Sequence, residues 1–384
     1  MTIDLTDTST GAIYEALTET RRRLGGPALG MVLTLIVATN EAAQYDAMRA
    51  ANQAGREHPS RVIGVITRRP DAESRLDAEI RVGETGPGET ILLRMYGPLG
   101  QHADSVIAPL LVPDVPVVTW WPGQPPEVPS ESPLGALAQR RVTDAAAGDS
   151  PQTLLTDLAE VYKPGDTDMS WTRLTPWRSL LAATFDVPHA PLTSGDVLAE
   201  QGNPSGDLLA AWLSVKLGIP VRRGVSGGPG ITDVRFDTEA GRVGISRHDG
   251  RTATLSRAGE PDRRVALHRR DQPELLAEEL RRLDPDDVYA ESLAWLFSDM
   301  RTEVDAASGA FTLTVRDGAP AGLFRDEEHH AGGQDGGGDR DGGDEGAEGS
   351  QGAEDPQDPE QGIAALNADE GQTGVDTEQE ISGQ

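Results

Sequence analysis

Along the first third of the chain, apolar residues fall into short β-branched runs and helical stripes separated by turn residues. Thr10–Leu24 carries Ile13, Tyr14, Leu17 and Leu24 at helical spacing, which predicts an amphipathic helix ended by Gly25-Gly26-Pro27. Met31–Thr39 and Arg61–Thr67 are nearly unbroken apolar runs of strand length, the pattern of strands buried on both faces. Glu41–Ala54 between them reads as a helix stopped by Gly55, so the three segments make a βαβ unit. Leu76–Val82 alternates apolar and polar residues, and Thr90–Tyr96 is another strand. The Gly86-Pro87-Gly88 turn joins these two as a hairpin. Leu99–Leu111 is expected to be helical and Val115–Trp121 to be a strand.

Prolines from Pro122 to Pro133 then form a stiff loop. A helix is expected from about Leu134, carrying Arg140, Arg141 and Asp144, and another over Leu154–Tyr162, stopped by Lys163-Pro164-Gly165. Thr175 suits an N-cap and Pro176 the first helical position, with Trp177, Leu180, Leu181 and Thr184 on one face. Ser205–Leu217 repeats that pattern with Leu208, Leu209, Trp212 and Leu213. From Ile231 to Arg270 the period switches to two, and turns at 239–241, 248–250 and 258–260 predict a meander of about four strands. Pro273–Leu283 and Val288–Phe297 read as helices, and Phe311–Val315 as a strand. The expected architecture is α/β and α+β. An N-terminal mixed-sheet α/β domain spans 1–165, and a C-terminal domain of helices plus a small antiparallel meander spans 166–322. A disordered acidic tail follows over 323–384.

Charge sharpens that division. From Asp326 onward 18 acidic residues meet one basic residue, Arg340, so −17 of the formal −29 lies there and −12 on residues 1–325. The folded body is expected to suffice for function without this tail. So acidic a body argues against nucleic acid as a partner, because polyanion binding needs clustered Lys and Arg. With 0 cysteines there are no disulfides, thiolate zinc sites or thiol switches. No signal peptide pattern opens the chain and no apolar run is long enough for a membrane span, so a soluble, cytoplasmic protein is expected.

Three motif matches fail on context. Gly83–Thr90 fits the P-loop spacing except that Glu89 stands where the phosphate-binding lysine belongs, and a strand follows where a helix is needed. Gly224-Val225-Ser226-Gly227-Gly228 fits the nucleophile-elbow pattern, with His248 and His268 downstream. Gly227-Gly228-Pro229-Gly230 and a strand follow instead of a helix. His329-His330 after Asp326-Glu327-Glu328 lies in the acidic tail, where only adventitious metal binding is expected. His58 leads into a strand and reads as structural. The expectation is therefore no catalytic residue, no metal site and no cofactor.

The chain has few aromatics, 4%, yet four of its 6 tryptophans fall between positions 120 and 177. Asp168–Arg178 packs Trp171, Trp177, Arg173 and Arg178 together, while Trp120-Trp121 and Arg140-Arg141 lie upstream. Trp and Arg are the residues most enriched at binding hot spots. The tryptophans are equally open to a core role, with the arginines paired to Asp144, Asp168 or Asp186. These readings are compatible, since buried tryptophans can be the floor on which arginines are displayed. Arg173 and Arg178 are expected outside the core, available to partner carboxylates or, internally, to Asp144.

Several blocks in order resemble the OpcA family, described as glucose-6-phosphate dehydrogenase assembly or allosteric proteins. They are Arg56–Ile63 (REHPSRVI), Arg75–Gly83 (RLDAEIRVG), Leu93–Leu99 (LRMYGPL), Pro109–Pro116 (PLLVPDVP) running into Trp120-Trp121-Pro122, Arg140–Ala145 (RRVTDA) and the Trp/Arg segment. The resemblance covers most of residues 1–320. It implies a non-catalytic partner of glucose-6-phosphate dehydrogenase that raises its activity at the entry of the oxidative pentose phosphate pathway. It points to Trp120, Trp121, Arg140, Arg141, Trp171, Arg173, Trp177 and Arg178 as partner-binding positions. Thiol control, attributed to some members, is excluded here by the missing cysteines. The competing reading is a sugar-phosphate-binding protein or small-molecule enzyme in which Arg140, Arg141, Arg173 and Arg178 grip an anion.

Overall fold

The computed structural model describes residues 1–24, 30–83, 88–186, 189–298 and 300–315. The Gly-Gly-Pro stop at 25–27, Gly86 and Pro87 of the hairpin turn, His329-His330 and the acidic tail lie outside them.

Eight strands make the first sheet. They are β1 (Thr2–Leu5), β2 (Leu33–Thr39), β3 (Ser60–Arg68), β4 (Arg75–Val82), β5 (Glu89–Tyr96), β6 (Val117–Trp120), β7 (Arg140–Thr143) and β8 (Asp166–Asp168). Their spatial order is β1-β4-β5-β3-β2-β6-β7-β8. Strands β5, β3, β2, β6, β7 and β8 run parallel, and β4 and β1 add antiparallel at one edge. Parallel strands need cover on both faces, and β2 shows how its sequence meets that need. Ile36 faces one core, with Ile13 and Leu17 of α1 (Thr10–Leu24), while Leu33, Leu35 and Val37 face the other. The second face is covered by α2 (Gln44–Ala54), whose contact side is Ala47, Ala50, Ala51 and Ala54. Met48 of α2 sits over Gly64, where a Cβ would lie 2.6 Å from its sulfur, so the thioether fills the space that a larger residue there would force it to leave.

The βαβ unit and the hairpin are as expected. Two expectations in this half are not. Leu99–Leu111 is no continuous helix. It splits into 3₁₀ turns at Gly97–His102 and Ala108–Leu110 around the short α3 (Ala103–Ile107), and Pro109, with no N–H to donate, keeps α3 from continuing. Arg140, Arg141 and Asp144 do not ride a helix from Leu134. Arg140–Thr143 is strand β7, parallel to β6 and β8, and Asp144 follows it. Val142 and Thr143 favour a strand, and burial of both arginines within ion pairs removes the solvent exposure that a helical reading assumes. Helix α4 (Pro151–Glu160) then leads to β8.

The second sheet comprises β9 (Leu192–Glu200), β10 (Val221–Ser226), β11 (Ile231–Thr238), β12 (Gly241–Ser246), β13 (Thr252–Arg257), β14 (Arg263–Ala266), β15 (Arg301–Thr302) and β16 (Phe311–Leu313). Their order is β14-β13-β12-β11-β9-β10-β16-β15. The four-strand meander is β11 to β14; β9 and β10, a parallel pair, were not visible as strands in the sequence pattern. The accompanying helices are α5 (Met169–Thr172), α6 (Thr175–Phe185), α7 (Pro204–Leu217), α8 (Gln272–Arg281) and α9 (Asp287–Leu296). Helix α7 lies in the centre of this half. Asn203 caps its start by accepting from the Gly206 amide at 2.8 Å, and Gly218, at φ 65°, ends it in the left-handed region.

Helix α8 belongs to the core of the first sheet. Its Leu275, Leu276, Ala277 and Leu280 join α2, β2 and Val142 in one apolar cluster. His58 donates from Nε2 to the Ala277 carbonyl at 3.0 Å, which gives this histidine the structural role expected of it. Among the described residues no helix is long and apolar enough to cross a membrane.

Candidate functional site

The Trp/Arg segment starts where the first sheet stops. Asp168, the last residue of β8, is fully buried, and both of its carboxylate oxygens are used. Oδ1 accepts from the Ser170 amide at 2.8 Å and starts α5. Oδ2 accepts from the Thr143 hydroxyl at 2.7 Å and the Ala145 amide at 2.8 Å, tying α5 to the end of β7. Asp168 is thus the cap of this segment; Thr175 is not. Leu174, the residue before α6, is already helical, and Thr175 donates its hydroxyl to Glu278 at 2.6 Å instead. The missed cap has a signal, an Asp two residues before the amide it accepts from.

All four arginines are engaged, each with a different set of partners. Arg140, buried on β7, donates to Glu279 Oε2 of α8 at 3.0 and 2.6 Å and to the Asp284 carbonyl at 2.9 Å. Arg141 pairs with Asp166 and donates to the carbonyls of Ala138 and Pro164. Arg173 makes a bidentate pair with Asp144 at 2.7 and 2.8 Å, the internal option open to it. Burial drives the Asp144 carboxyl above its ordinary range even so, with the Asp168 charge adding to the effect. Arg178 is half-buried, its guanidinium carbon 4.0 Å from the centre of the Trp171 ring. Burial lowers its pKa, opposed by Asp286, Glu278 and Glu279.

The tryptophans are floor and not surface. Trp120, Trp121, Trp171 and Trp177 are each 5% exposed or less. Trp120 lies in the cluster with α2 and α8, and Trp121 in the opposite cluster of the first sheet. Trp171 and Trp177 belong to the core of the second half. Trp171 donates its indole N–H to Asp286 Oδ2 at 2.8 Å, and Asp286 in turn caps α9 by accepting from the Tyr289 amide. Of the eight positions singled out, only Arg173 and Arg178 keep intermediate exposure. Arg173 and Trp177 also border a cavity with Arg247, Arg269 and Arg270, which carried no motif and were missed, and with His268, which the sequence offered only as a companion of Ser226.

The rejected motifs have structural explanations. Glu89 opens β5, and its carboxylate takes Arg21 of α1 and the buried Arg61 of β3, the latter at 3.0 Å. Burial would raise its pKa, but the two arginines hold it below the ordinary range. Ser226 ends β10, and its hydroxyl accepts from Thr232 at 2.9 Å; strand β11, not a helix, follows. Replacing Ser226 with alanine is therefore expected to change stability by no more than about 0.5–1 kcal/mol. Assays with esterase and phosphatase substrates should read the same before and after, and an activity lost with this hydroxyl would make Ser226 a nucleophile.

Two family models match successive stretches of the chain. Residues 51–160 match the family described as the glucose-6-phosphate dehydrogenase subunit N-terminal domain, and residues 164–293 match the corresponding C-terminal domain. A putative OxPP cycle protein OpcA from Synechocystis sp. is 30% identical over 138 residues, 34% of this chain and 29% of that protein. Its namesake from Synechococcus elongatus is 28% identical over 166 residues, 40% of this chain and 37% of that one. The chain thus matches about a third of the length of these curated relatives. Among solved structures, a 3-ketoreductase from Actinomadura kijaniata in complex with NADP aligns at 15% identity and a TM-score of 0.39, covering 68% of this chain and 94% of that one. A likeness so slight carries no argument about chemistry. The two matched domains, in order and spanning more than half the chain, place it in the OpcA family of glucose-6-phosphate dehydrogenase subunit proteins.

Proposed function

We propose that this protein binds glucose-6-phosphate dehydrogenase and raises its activity in the oxidative pentose phosphate pathway, without catalysing a reaction itself. The observation that carries this reading is the pair of matched domains, both described as parts of a glucose-6-phosphate dehydrogenase subunit. One match ends at 160 and the next starts at 164, near the expected boundary at 165/166, while β8 and α8 from beyond it complete the first sheet. The Trp/Arg segment sits just past that division and ties β7, α5 and α8 together, so it fixes how the two halves meet. In this reading Trp120, Trp121, Arg140, Arg141, Trp171 and Trp177 act from beneath the surface, holding its shape. Arg173 and Arg178 are the members that reach solvent. An activator must favour the active form of its target, by about 1.4 kcal/mol for each tenfold shift in population.

The test mixes the purified full chain with the dehydrogenase and measures co-elution and turnover. Arg178→Gln is the informative variant. Charge reversal here would set a carboxylate beside Glu278, Glu279 and Asp286 and confuse folding with binding. The glutamine variant should fold normally and bind about tenfold more weakly. Absence of co-elution by the unaltered chain would sink the reading; unchanged affinity in the variant would remove Arg178 from the interface.

The four arginines named by the competing anion-grip reading do not converge on one site. Arg140, Arg141 and Arg173 are each neutralised by a different carboxylate, and Arg178 lies over a ring.

A further inference from the structure

Arg173 does converge with three other arginines. A cavity of about 250 Å³ lies between the start of α6, the start of α7, the start of β11 and the residues leading into α8. Arg173, Arg247, Arg269 and Arg270 line it, His268 stands beside them, and no lining residue is acidic. In a chain with a formal charge of −29, that concentration of positive charge calls for a cause.

Internal pairing accounts for half of it. Arg173 is matched by Asp144 and Arg270 by Glu278. Among the described residues, Arg247 and Arg269 have no carboxylate within ion-pair distance. Arg247 is 6% exposed, and its Nη atoms donate to the carbonyls of Leu267 and Ile231 at 3.2 and 3.3 Å. Its Nε is buried with no acceptor, and so is Nε of Arg270. Burial, with Arg269 nearby, pushes the Arg247 pKa down to about 10, Asp249 opposing only in part. A buried guanidinium with an unused N–H and no counter-charge is a group short of an anion.

Two further features fit one. Asn203 and Ser205 of the lining place the first turn of α7 at the cavity, so the positive end of a fourteen-residue helix faces it. Trp177, with Arg247 at 4.9 Å from its ring centre, supplies an apolar wall. The two uncompensated arginines match the charge of a phosphomonoester, close to −2 at neutral pH. The volume lies just below the range of about 300–1,000 Å³ for sites that hold drug-sized ligands, enough for a phosphate on a short carbon skeleton.

We infer that this cavity is a binding site for a small phosphomonoester, held by Arg247 and Arg269 with Arg173, Arg270 and the start of α7 completing the cradle. The site does not depend on the dehydrogenase reading, and its test needs no dehydrogenase. The full chain is titrated calorimetrically with inorganic phosphate, then with glycerol 3-phosphate and with glycerol, at constant ionic strength. Both phosphates should bind saturably at one site, the ester at least as tightly, and glycerol should not bind. Arg269 is exposed and unpaired, so Arg269→Gln should fold as before and weaken phosphate by about tenfold. Arg247→Gln should weaken it further, with circular dichroism verifying its fold. The proposal fails if the unaltered chain shows no saturable phosphate binding, or if Arg269→Gln binds phosphate as tightly as before. Loss of dehydrogenase co-elution in Arg269→Gln, with no phosphate binding by the unaltered chain, would assign the cavity to a partner carboxylate instead.

Discussion

Glu279→Ala is expected to lower unfolding stability by about 3–5 kcal/mol, a fall in melting temperature on the order of 10 °C. Glu279 is 5% exposed on α8, and its two oxygens serve both halves of the fold. Oε2 takes Arg140 of β7, and Oε1 takes the Thr172 hydroxyl of α5. Without the carboxylate, the Arg140 guanidinium stays buried with only the Asp284 carbonyl as acceptor. An unpaired buried charge is costlier than the intact pair is favourable, so removing both partners should recover much of the loss. Denaturant titration of Glu279→Ala and of Arg140→Met/Glu279→Leu measures this. A single-variant loss under about 1 kcal/mol would mean that water reaches Arg140 and that the pair is not a buried one.

Trp171→Ala should cost a similar amount, about 3–5 kcal/mol, and by a different mechanism. The ring is 2% exposed, carries Arg178 on one side and packs against Tyr289 with ring centres 5.7 Å apart. Truncation opens a cavity in the core and also deprives Asp286, the cap of α9, of its indole donor. Trp171→Phe keeps most of the ring area and should lose roughly half as much, through the missing N–H. The two roles open to this tryptophan separate cleanly in the experiment. A variant that melts like the parent chain but no longer binds the dehydrogenase would mark Trp171 as a contact residue and not as core.

What could be read from the sequence depended on how each segment is buried. Leu33–Thr39 and Ser60–Arg68 announce themselves because strands covered on both faces must be apolar nearly throughout. Leu192–Glu200 does not, because Thr193, Gly195 and Asp196 dilute an alternating pattern that only the meander and β10 make sense of. Arg140–Thr143 and Val221–Ser226 were hidden for a shared reason. Each buries arginine, Arg140 against Glu279 and Arg223 against Asp207, and pattern reading assigns arginine to solvent. At the candidate site, Asp144 was one of several carboxylates open to Arg173, and only the fold, which brings together residues 29 positions apart, selects it. The basic cavity was not legible, since its walls come from residues 173–177, 203–205, 230–231, 247 and 268–270. The nearest signal was His268-Arg269-Arg270, a histidine and two arginines just ahead of the Asp271 cap in an otherwise acidic body.

The contact between His58 and Ala277 joins residues 219 positions apart. A ribosome adding about 5–20 residues per second needs roughly 10–45 s to make that much chain. Throughout that interval the newborn first sheet has α2 on one face but not the leucines of α8 that finish the cover. Apolar area that the mature molecule hides is then open to other nascent chains and to chaperones. The order of synthesis thus exposes the early half of this protein to aggregation until its late half emerges, and truncation anywhere before α8 would make that exposure permanent.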